Sequence, residues 1–332
     1  MFRLFRLTVP LITLVLVPGF SGAVPPIAES EPNDSSVAAD AFPGGQCFVV
    51  GTGAISPVGD QDIWSFPGTA GASVWAYVDP QASTDPFLEI FQPDGATLIE
   101  HDDNDGIGNG GGPVVDDPPP APLASAVAGA PLTSTGTHLA AVTETGDNGT
   151  INPYRLFLAV STTTVQEGPE PNDSDADAGV ITGCPEVRVG QIEADPGPAR
   201  EWDCYAVDLA AGETLFVAAT GPEELVVSLR TTCGDAPANR VVAGEVSAFP
   251  APPGIAYSFN VTSAARYHIR IREGDGGVEG PYRLMVAKCN LAAATCPATD
   301  QPAPTGPAKC AGRTADHLGT PGDDVLVGTG AD

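Results

Sequence analysis

The sequence predicts an all-β fold built from two tandem β-sandwich domains. The main evidence is an internal repeat, because three landmarks occur twice in the same order along the chain. A Glu-Pro-Asn-Asp segment opens each copy, an Asp-x-aromatic step follows, and a Pro-Tyr-Arg-Leu strand closes it. These landmarks are residues 29–35, 62–64 and 153–156 in the first copy, and 170–174, 203–205 and 281–284 in the second. Many short apolar segments between turn residues, with no helical stripe, also favour sandwiches.

Each copy contains short apolar or alternating runs that predict strands. Turns separate them, such as Pro93-Asp94-Gly95, where Pro fixes φ and Gly accepts a positive φ. The first copy also contains a long Gly-, Asp- and Pro-rich loop over 101–122. The predicted strands are 46–51, 62–66, 72–78, 87–91, 96–99, 137–142 and 154–160, and then 187–192, 203–209, 214–219, 225–230, 266–272 and 282–286.

The repeat defines two domains, at 28–162 and 165–290, which a chain of 332 residues accommodates. Residues 1–23 have the form of a secretory signal peptide, with two arginines before an apolar core and small residues before the cleavage point. An uncleaved anchor is the alternative, and Pro18 and Gly19 argue against it. We therefore expect a secreted protein, extracellular or at the cell surface, with no membrane insertion after cleavage.

The charge of the chain excludes some partners. The formal net charge is −28, and Lys288 and Lys309 are the only lysines. A field of this sign repels nucleic acid and anionic membranes and attracts cations, so we expect no nucleic-acid partner. A solvated, exported surface is the alternative explanation of the charge, although the acidic residues concentrate in turns and at the start of each repeat.

Export permits disulfides, and the chain has seven cysteines. An odd number leaves a free thiol, an intermolecular bond or a partner outside this sequence. Cys289 and Cys296 could close a short loop, but the sequence leaves the pairing open. The lack of a Cys-x-x-Cys pair and the scattered histidines argue against zinc. The cysteines are at positions 47, 184, 204, 233, 289, 296 and 310.

These repeated features resemble the bacterial pre-peptidase C-terminal domain. The Glu-Pro-Asn-Asp start, the Asp-x-aromatic strand, the Asp-rich glycine loop and the closing Pro-Tyr-x-Leu strand carry the resemblance, which covers nearly all of 28–290 in two copies. The chain is similar also to the collagen-binding domain of clostridial collagenases. The resemblance implies a jelly-roll-like sandwich, an accessory role beside secreted peptidases and other exported enzymes, and, as in some members, calcium at the N-terminal segment.

The first copy carries the residue types that calcium prefers, because this ion takes several hard oxygen ligands. Glu29, Glu31 and Asn33 stand at i, i+2 and i+4, and in an extended chain their side chains share one face. Asp34 adds a carboxylate at the bend, and Asp60 lies just before the Asp-x-aromatic strand. The family resembled takes its ligands from these two places, so we expect Ca²⁺ as the cofactor. The alternative is that Asn and Asp side chains only cap nearby backbone amides.

The second copy departs from this pattern. Gly168 stands where Glu29 stands, and Glu167 is displaced by one residue. Glu201 takes the place of Asp60. Fewer carboxylates in register predict a weaker calcium site. The predicted ligands of this second site are Glu170, Asn172, Asp173 and Glu201.

The acidic loop at 100–106 is another candidate for an ion. It fails as an EF-hand, because His101 would hold the first ligand position and Gly112 the twelfth. The loop is therefore either a solvated segment or a weak ion site.

The C-terminal part predicts two different segments. Residues 291–316 are rich in Pro and Ala and predict an exposed, disordered linker. Residues 317–332 resemble one turn of an RTX β-roll, the hemolysin-type calcium-binding repeat, with Asp324 as a predicted calcium ligand. A single turn cannot complete a calcium site, so the sequence is either incomplete or ends in a vestigial tail. Cys310, without an obvious partner, favours incompleteness.

The sequence shows no catalytic motif, so we expect a protein that is not an enzyme. It lacks a Gly-x-Ser-x-Gly elbow, a His-Glu-x-x-His helix and a phosphate loop. His138 and His268 occupy similar places in the two copies, which favours packing over chemistry, and Trp64 and Trp75 are predicted core residues rather than carbohydrate platforms.

Two functions fit these features. The favoured one is a secreted calcium-binding protein that binds an extracellular polysaccharide or protein, or acts as a stabilising spacer. The alternative is the accessory region of a secreted, peptidase-like hydrolase whose catalytic domain lies outside this sequence.

Overall fold

The structure is a computed structural model that describes residues 25–80, 84–103, 106–107, 123–193, 202–222, 225–245, 254–273, 279–291, 309–310 and 313–314. Several predictions lie outside these residues: the signal peptide, the ligands Glu201 and Asp324, Cys296, most of the linker and the whole RTX-like turn. The chain divides into two units, residues 1–300 and 301–332. No helix among the described residues reaches the length and hydropathy of a membrane-spanning segment.

The first unit is built almost wholly of strands. Its described residues contain a single helical element, the 3₁₀ turn η1 (Pro237–Asn239). The first repeat contains β1 (Ile27–Ala28), β2 (Asp40–Ala41), β3 (Val49–Ile55), β4 (Asp62–Gly68), β5 (Ser73–Pro80), β6 (Pro86–Phe91), β7 (Leu98–Asp102), β8 (Gly106–Ile107), β9 (Leu123–Pro131), β10 (Gly136–Glu144) and β11 (Ile151–Ser161). The second repeat contains β12 (Val165–Gln166), β13 (Gly179–Val180), β14 (Glu186–Ile192), β15 (Trp202–Leu209), β16 (Thr214–Thr220), β17 (Leu225–Arg230), β18 (Arg240–Glu245), β19 (Gly254–Asn260), β20 (Ala265–Glu273) and β21 (Gly280–Cys289).

Each repeat forms two five-stranded sheets, so the predicted all-β fold with two β-sandwiches is confirmed. In the first repeat the inner sheet has the order β1-β3-β11-β5-β9 and the outer sheet β2-β4-β10-β6-β7. In the second, the inner sheet is β19-β16-β21-β14-β12 and the outer sheet β13-β15-β20-β17-β18. The short strand β8 pairs with both β9 and β19, so the two inner sheets are hydrogen-bonded into one eleven-stranded sheet.

The inner sheets also pack against each other, face to face, and we call this contact the seam. Strand β5 is buried along its whole length, because alternate residues face the sandwich core and the seam. The ring of Phe157 lies 5.7 Å from that of Phe216 across the seam, and a disulfide joins Cys47 to Cys184. Arg283 donates hydrogen bonds to the carbonyl of Gly129 and the hydroxyl of Ser73. The buried residues of the seam include Phe48, Trp75, Tyr77, Phe157, Phe216 and Met285.

Two more cysteines are paired within the second sandwich, where a disulfide joins Cys204 to Cys233. Cys289 is also disulfide-bonded. Cys296, one partner that the sequence leaves open for it, is not among the described residues.

The unit at 301–332 has one described feature. Strand β22 (Lys309–Cys310) pairs antiparallel with β23 (Arg313–Thr314).

Candidate metal centre

The N-terminal segment of the first sandwich lies across the open end between its two sheets. Strand β1 pairs parallel with β3, and the amide of Glu29 continues this pairing by donating to the carbonyl of Thr52 at 3.0 Å. Further along, the amide of Ile63 in β4 donates to the carbonyl of Asn33 at 3.3 Å. Residues 29–33 therefore connect an inner strand to an outer strand, and Asn33 is fully buried where they meet.

Five carboxylates gather beside this segment, and we call them the first acidic cluster. Glu29, Glu31 and Asp62 each present an oxygen within 4.8 Å of the other two. Glu31, Asp34 and Asp60 form a second such triplet, so Glu31 belongs to both. Two oxygens bound on opposite sides of one calcium ion are separated by about 5 Å, because the Ca–O distance is about 2.3–2.6 Å. The spacing of both triplets fits that ion.

Three buried oxygen atoms in this region accept no hydrogen bond. They are Oε2 of Glu29, Oδ1 of Asn33 and Oδ1 of Asp62. The other polar atoms of two of these side chains do form hydrogen bonds: Glu29 Oε1 accepts from the amide of Ala54 at 2.8 Å, and Asn33 Nδ2 donates to Asp40 at 3.2 Å. A buried acceptor without a donor costs about 1–3 kcal/mol, so these atoms leave a place that a cation would fill.

The electrostatics of the cluster also favour a cation. Burial, followed by contact with the carboxyl of Glu29, raises the pKa of Asp62 to about 9. The pKa of Glu31 is raised as well, first by partial burial and next by the negative charge of Asp60. Carboxylates that repel one another in this way bind a proton more tightly, and a divalent ion relieves the same repulsion.

Two core side chains hold Asp62 in place. The hydroxyl of Tyr154 in β11 donates to Asp62 Oδ2 at 2.5 Å, and the indole N–H of Trp64 donates to that hydroxyl at 2.9 Å. All three residues are fully buried. Asp62 is thus oriented from the core, which leaves its other oxygen directed to the cluster.

The donor set limits the class of ion that the cluster could hold. Every candidate ligand atom is a carboxylate or amide oxygen, a set that suits calcium or magnesium and not the softer metals that select Cys or His. The cluster offers five carboxylates in two triplets that share Glu31, and calcium takes about six to eight oxygens in a flexible arrangement, with water among its ligands. The residues present therefore fit calcium.

The second sandwich has a related cluster, formed by Glu167, Glu170 and Asp203, again with one oxygen of each within 4.8 Å of the others. The prediction that Gly168 takes the place of Glu29 is wrong. The amide of Glu167 donates to the carbonyl of Val189 in β14, as that of Glu29 does to Thr52 in β3. The chain absorbs the one extra residue in the exposed stretch before Pro171 and keeps the glutamate in position.

A glycine and a tyrosine flank the glutamate in both copies. A side chain at Gly53 would meet the carboxylate of Glu29 and the hydroxyl of Tyr154, and one at Gly190 would meet Glu167 and Tyr282. The hydroxyl of Tyr282 donates to Glu167 Oε2 at 3.3 Å. Burial is the largest cause of the raised pKa of Glu167.

The second cluster offers fewer ligands than the first. The amide oxygen of Asn172 accepts from the backbone of Cys204 at 3.3 Å, and its nitrogen donates to Glu170 at 2.8 Å. Asp173, predicted as a ligand, is exposed and belongs to none of the described acidic groups; its backbone carbonyl accepts from the indole of Trp202. The asparagine of this copy therefore stabilises backbone, as the capping alternative expects, and three carboxylates remain.

A third group of potential ligands is excluded by its chemistry. Asp175, Cys233 and His268 lie close together, but the sulfur of Cys233 is in a disulfide with Cys204. A disulfide sulfur is not a thiolate, so this group keeps only the carboxylate of Asp175 and the imidazole of His268 as donors, too few for a metal site of its own.

The structure brings together the four carboxylates predicted for the first site and adds Asp62. Asn33, the fifth predicted residue, contacts the cluster through its backbone amide, which donates to Glu31 Oε2 at 3.2 Å. Sequence reasoning missed Asp62, Asp203 and Glu167 as candidate ligands. The signal for the first two was present, because they are the repeated acid of the Asp-x-aromatic step. Glu167 was missed because an extra residue put it out of register.

Comparisons with known proteins give a distant likeness in fold. The sequence matches no protein-family profile and no curated protein. Among solved structures, it is similar to the Aeromonas hydrophila PliG, a periplasmic inhibitor of g-type lysozyme, at 13% identity and a TM-score of 0.25, over 42% of this chain and 98% of that one. The PBSX exported protein XepA shows 13% identity and a TM-score of 0.23, over 80% and 94%.

A tandem CBM22 pair from Paenibacillus barcinonensis Xyn10C shows 11% identity and a TM-score of 0.19, over 68% of this chain and 82% of that one. At these scores the likenesses carry no functional argument.

Proposed function

We propose that this protein is an exported, non-catalytic binding protein whose first sandwich holds a calcium ion at the first acidic cluster. The observation that supports it best is the set of three buried, unpartnered oxygens of Glu29, Asn33 and Asp62 among mutually repelling carboxylates. The disulfides Cys47–Cys184 and Cys204–Cys233 fit an oxidising, extracellular compartment.

The bound ion cross-links the N-terminal segment to the body of the first sandwich. Glu29 and Glu31 belong to the N-terminal segment, Asp62 is the first residue of β4, and Asp60 lies just before that strand. A cation bound between them offsets the repulsion and ties the segment to the sandwich. Because the ligands converge only in the folded state, the free energy of calcium binding adds to the free energy of unfolding.

The binding partner in this proposal is an extracellular polysaccharide or protein. The alternative is the accessory region of a secreted hydrolase. The genomic reading frame separates the two, because a catalytic domain encoded in the same frame favours the second.

The proposal is tested by thermal unfolding of the purified mature chain in chelator and in increasing calcium. We expect metal analysis to find calcium, and about 2.7 kcal/mol of added stability at a concentration about a hundredfold above the dissociation constant. Glu31→Gln should remove most of the response, because Glu31 joins both triplets and is exposed, so the change does not disturb the core.

Asp173→Asn is the matched control. Like Glu31, Asp173 is an exposed acid of a Glu-Pro-Asn-Asp segment, but it lies outside the described acidic groups, so the calcium response should persist. An unchanged melting temperature in chelator and calcium would overturn the proposal and leave backbone capping as the role of this segment.

A further inference from the structure

The outer face of the second sandwich carries a run of basic residues in a very acidic chain. Strand β20 alternates, with Tyr267, Ile269 and Ile271 in the core and the residues between them on the outer face. Arg230 of β17 lies directly opposite His268 on the same face. The basic residues of β20 are Arg266, His268, Arg270 and Arg272.

Three of these side chains are buried under a loop, and we call Arg230, His268 and Arg270 the arginine–histidine cluster. They are 1%, 4% and 1% exposed. The cover is the loop 231–239, which the Cys204–Cys233 disulfide ties to β15. Both guanidinium groups bind this loop at their tips. Arg230 donates to the carbonyls of Gly234 and Ala236, and Arg270 donates to Asp235 at 2.7 Å.

The inner nitrogens of the cluster have no partner. Nε of Arg230, Nε of Arg270 and both ring nitrogens of His268 are buried without a hydrogen bond. The nearest carboxylate oxygen to His268 is that of Asp175, at 3.7 Å from Nε2, which is beyond hydrogen-bonding distance. Buried donors are rarely left unsatisfied in folded proteins, so several of them on one face of the sheet indicate a missing acceptor.

The charge balance points the same way. The loop carbonyls that bind Arg230 carry no formal charge. Asp235, the carboxylate on the loop, is bound to Arg270 and is itself 75% exposed. Burial, and next the charge of Arg270, lowers the pKa of Arg230 to about 10. Arg270 also stacks on the ring of Trp202 at 4.9 Å, so the buried guanidinium whose hydrogen bonds go only to uncharged groups is that of Arg230, and it favours a compensating negative charge.

The sandwich fold does not require this cluster. The outer sheets of the two sandwiches can be aligned by matching the pair His138↔Phe66 of the first to the pair Tyr267↔Val207 of the second. In this alignment Leu139 of the first sandwich takes the place of His268 of the second. The same register places Ala141 at the position of Arg270. His138 and His268 are thus one residue out of register, and only His138 faces its core, against Phe66. The cluster is specific to the second copy.

We propose that the arginine–histidine cluster binds a small inorganic anion the size of chloride, between β17, β20 and the disulfide-tied loop. The guanidinium tips are engaged by the loop, so the donors that remain are single N–H groups. One spherical acceptor can reach several of these, whereas a larger oxyanion needs the bidentate guanidinium edge.

The test is thermal unfolding of the whole mature chain in potassium chloride and in potassium gluconate, at matched ionic strength and fixed calcium. Gluconate is too large for the buried site. We expect chloride to raise the melting temperature by about 5 °C at a concentration about a hundredfold above its dissociation constant. In bromide-soaked crystals, an anomalous peak should lie between Nε of Arg230 and the ring of His268.

Two substitutions locate the effect. His268→Leu, which copies Leu139 of the first sandwich, and Arg230→Met should each abolish the difference between chloride and gluconate. Arg266→Gln is the control, because Arg266 is half exposed and pairs with Asp208 outside the cluster, so the difference should remain. Equal melting temperatures in chloride and in gluconate, together with no bromide peak, would overturn the proposal. A rise in melting temperature in chloride that persists in both variants would overturn it as well.

Discussion

Cys47 of the first sandwich is bonded to Cys184 of the second, with their Cα atoms 5.0 Å apart, at the edge of a buried apolar seam. The seam is aromatic at its centre, where Phe157 contacts the rings of Tyr77 and Phe216. Apolar burial of this kind makes each sandwich part of the environment that stabilises the other.

We therefore expect both sandwiches to unfold in one transition. Phe157→Ala should lower the free energy of unfolding by about 3–5 kcal/mol, the usual cost of removing a fully buried Phe side chain, and should lower the transition of the whole unit. Scanning calorimetry measures this. Phe91→Ala, at a half-buried position on the outer sheet, should cost less. Two separate transitions, with only one of them shifted by Phe157→Ala, would contradict the shared seam.

Gly53→Ala and Gly190→Ala should each disable one acidic cluster. A Cβ at Gly53 would collide with the carboxylate of Glu29, and one at Gly190 with that of Glu167. Strain of this kind costs about 1–3 kcal/mol. Gly53→Ala should also remove most of the calcium-dependent rise in melting temperature, whereas Gly190→Ala should remove only a weaker phase at higher calcium. Calorimetric titration of both variants checks this, and an unaltered calcium response in Gly53→Ala would count against Glu29 as a ligand.

Glu100 should make the stability of the protein depend on pH. Burial, followed by the charge of Asp102, raises its pKa from 4.5 to about 7. The protonated form is therefore favoured by folding. The contribution of this protonation to the free energy of unfolding is full below pH 4.5 and is lost as the pH rises through 7. It amounts to about 3 kcal/mol.

Glu100→Gln keeps the shape and removes the titration. In chelator, urea unfolding should find this variant more stable than the wild type at pH 8 and similar at pH 4.5. From pH 4.5 to pH 8, the free energy of unfolding should fall by more in the wild type than in the variant. Equal pH dependence in both proteins would show that Glu100 is not the source.

Most strands could be predicted from the sequence, because runs such as 214–219 and 225–230 are apolar and bounded by turns. Of the strands longer than two residues, β9, β18 and β19 were not predicted. The sequence of β9, Leu-Ala-Ser-Ala-Val-Ala-Gly-Ala-Pro, is built from small residues with weak strand preference, and packing on both faces holds it in the sheet. Local pattern carries little of that information.

The seam is a second feature that local patterns did not reveal. In β5 the sequence separates Val74, Ala76 and Val78 from Trp75 and Tyr77, which suggests a core face and an opposite face. Both sets are buried, and continuous apolar runs of this kind are typical of strands covered on two sides. The identity of the second covering surface depends on another domain, which no single strand encodes.

The first site was predictable from the oxygen-rich segment, since alternation alone places Glu29 and Glu31 on one face. Asp62 was not predicted because its role depends on Tyr154, which is distant in sequence and approaches only when β11 packs beside β3. The second site needed the pairing of β12 with β14, which fixes Glu167 despite the extra residue.

The seam also determines where the chain can be divided. A fragment that stops after β11 would leave the aromatic face of Phe48, Trp75 and Phe157 open to water, and would lose the cysteine that pairs with Cys47. Such a half is expected to associate with itself or precipitate.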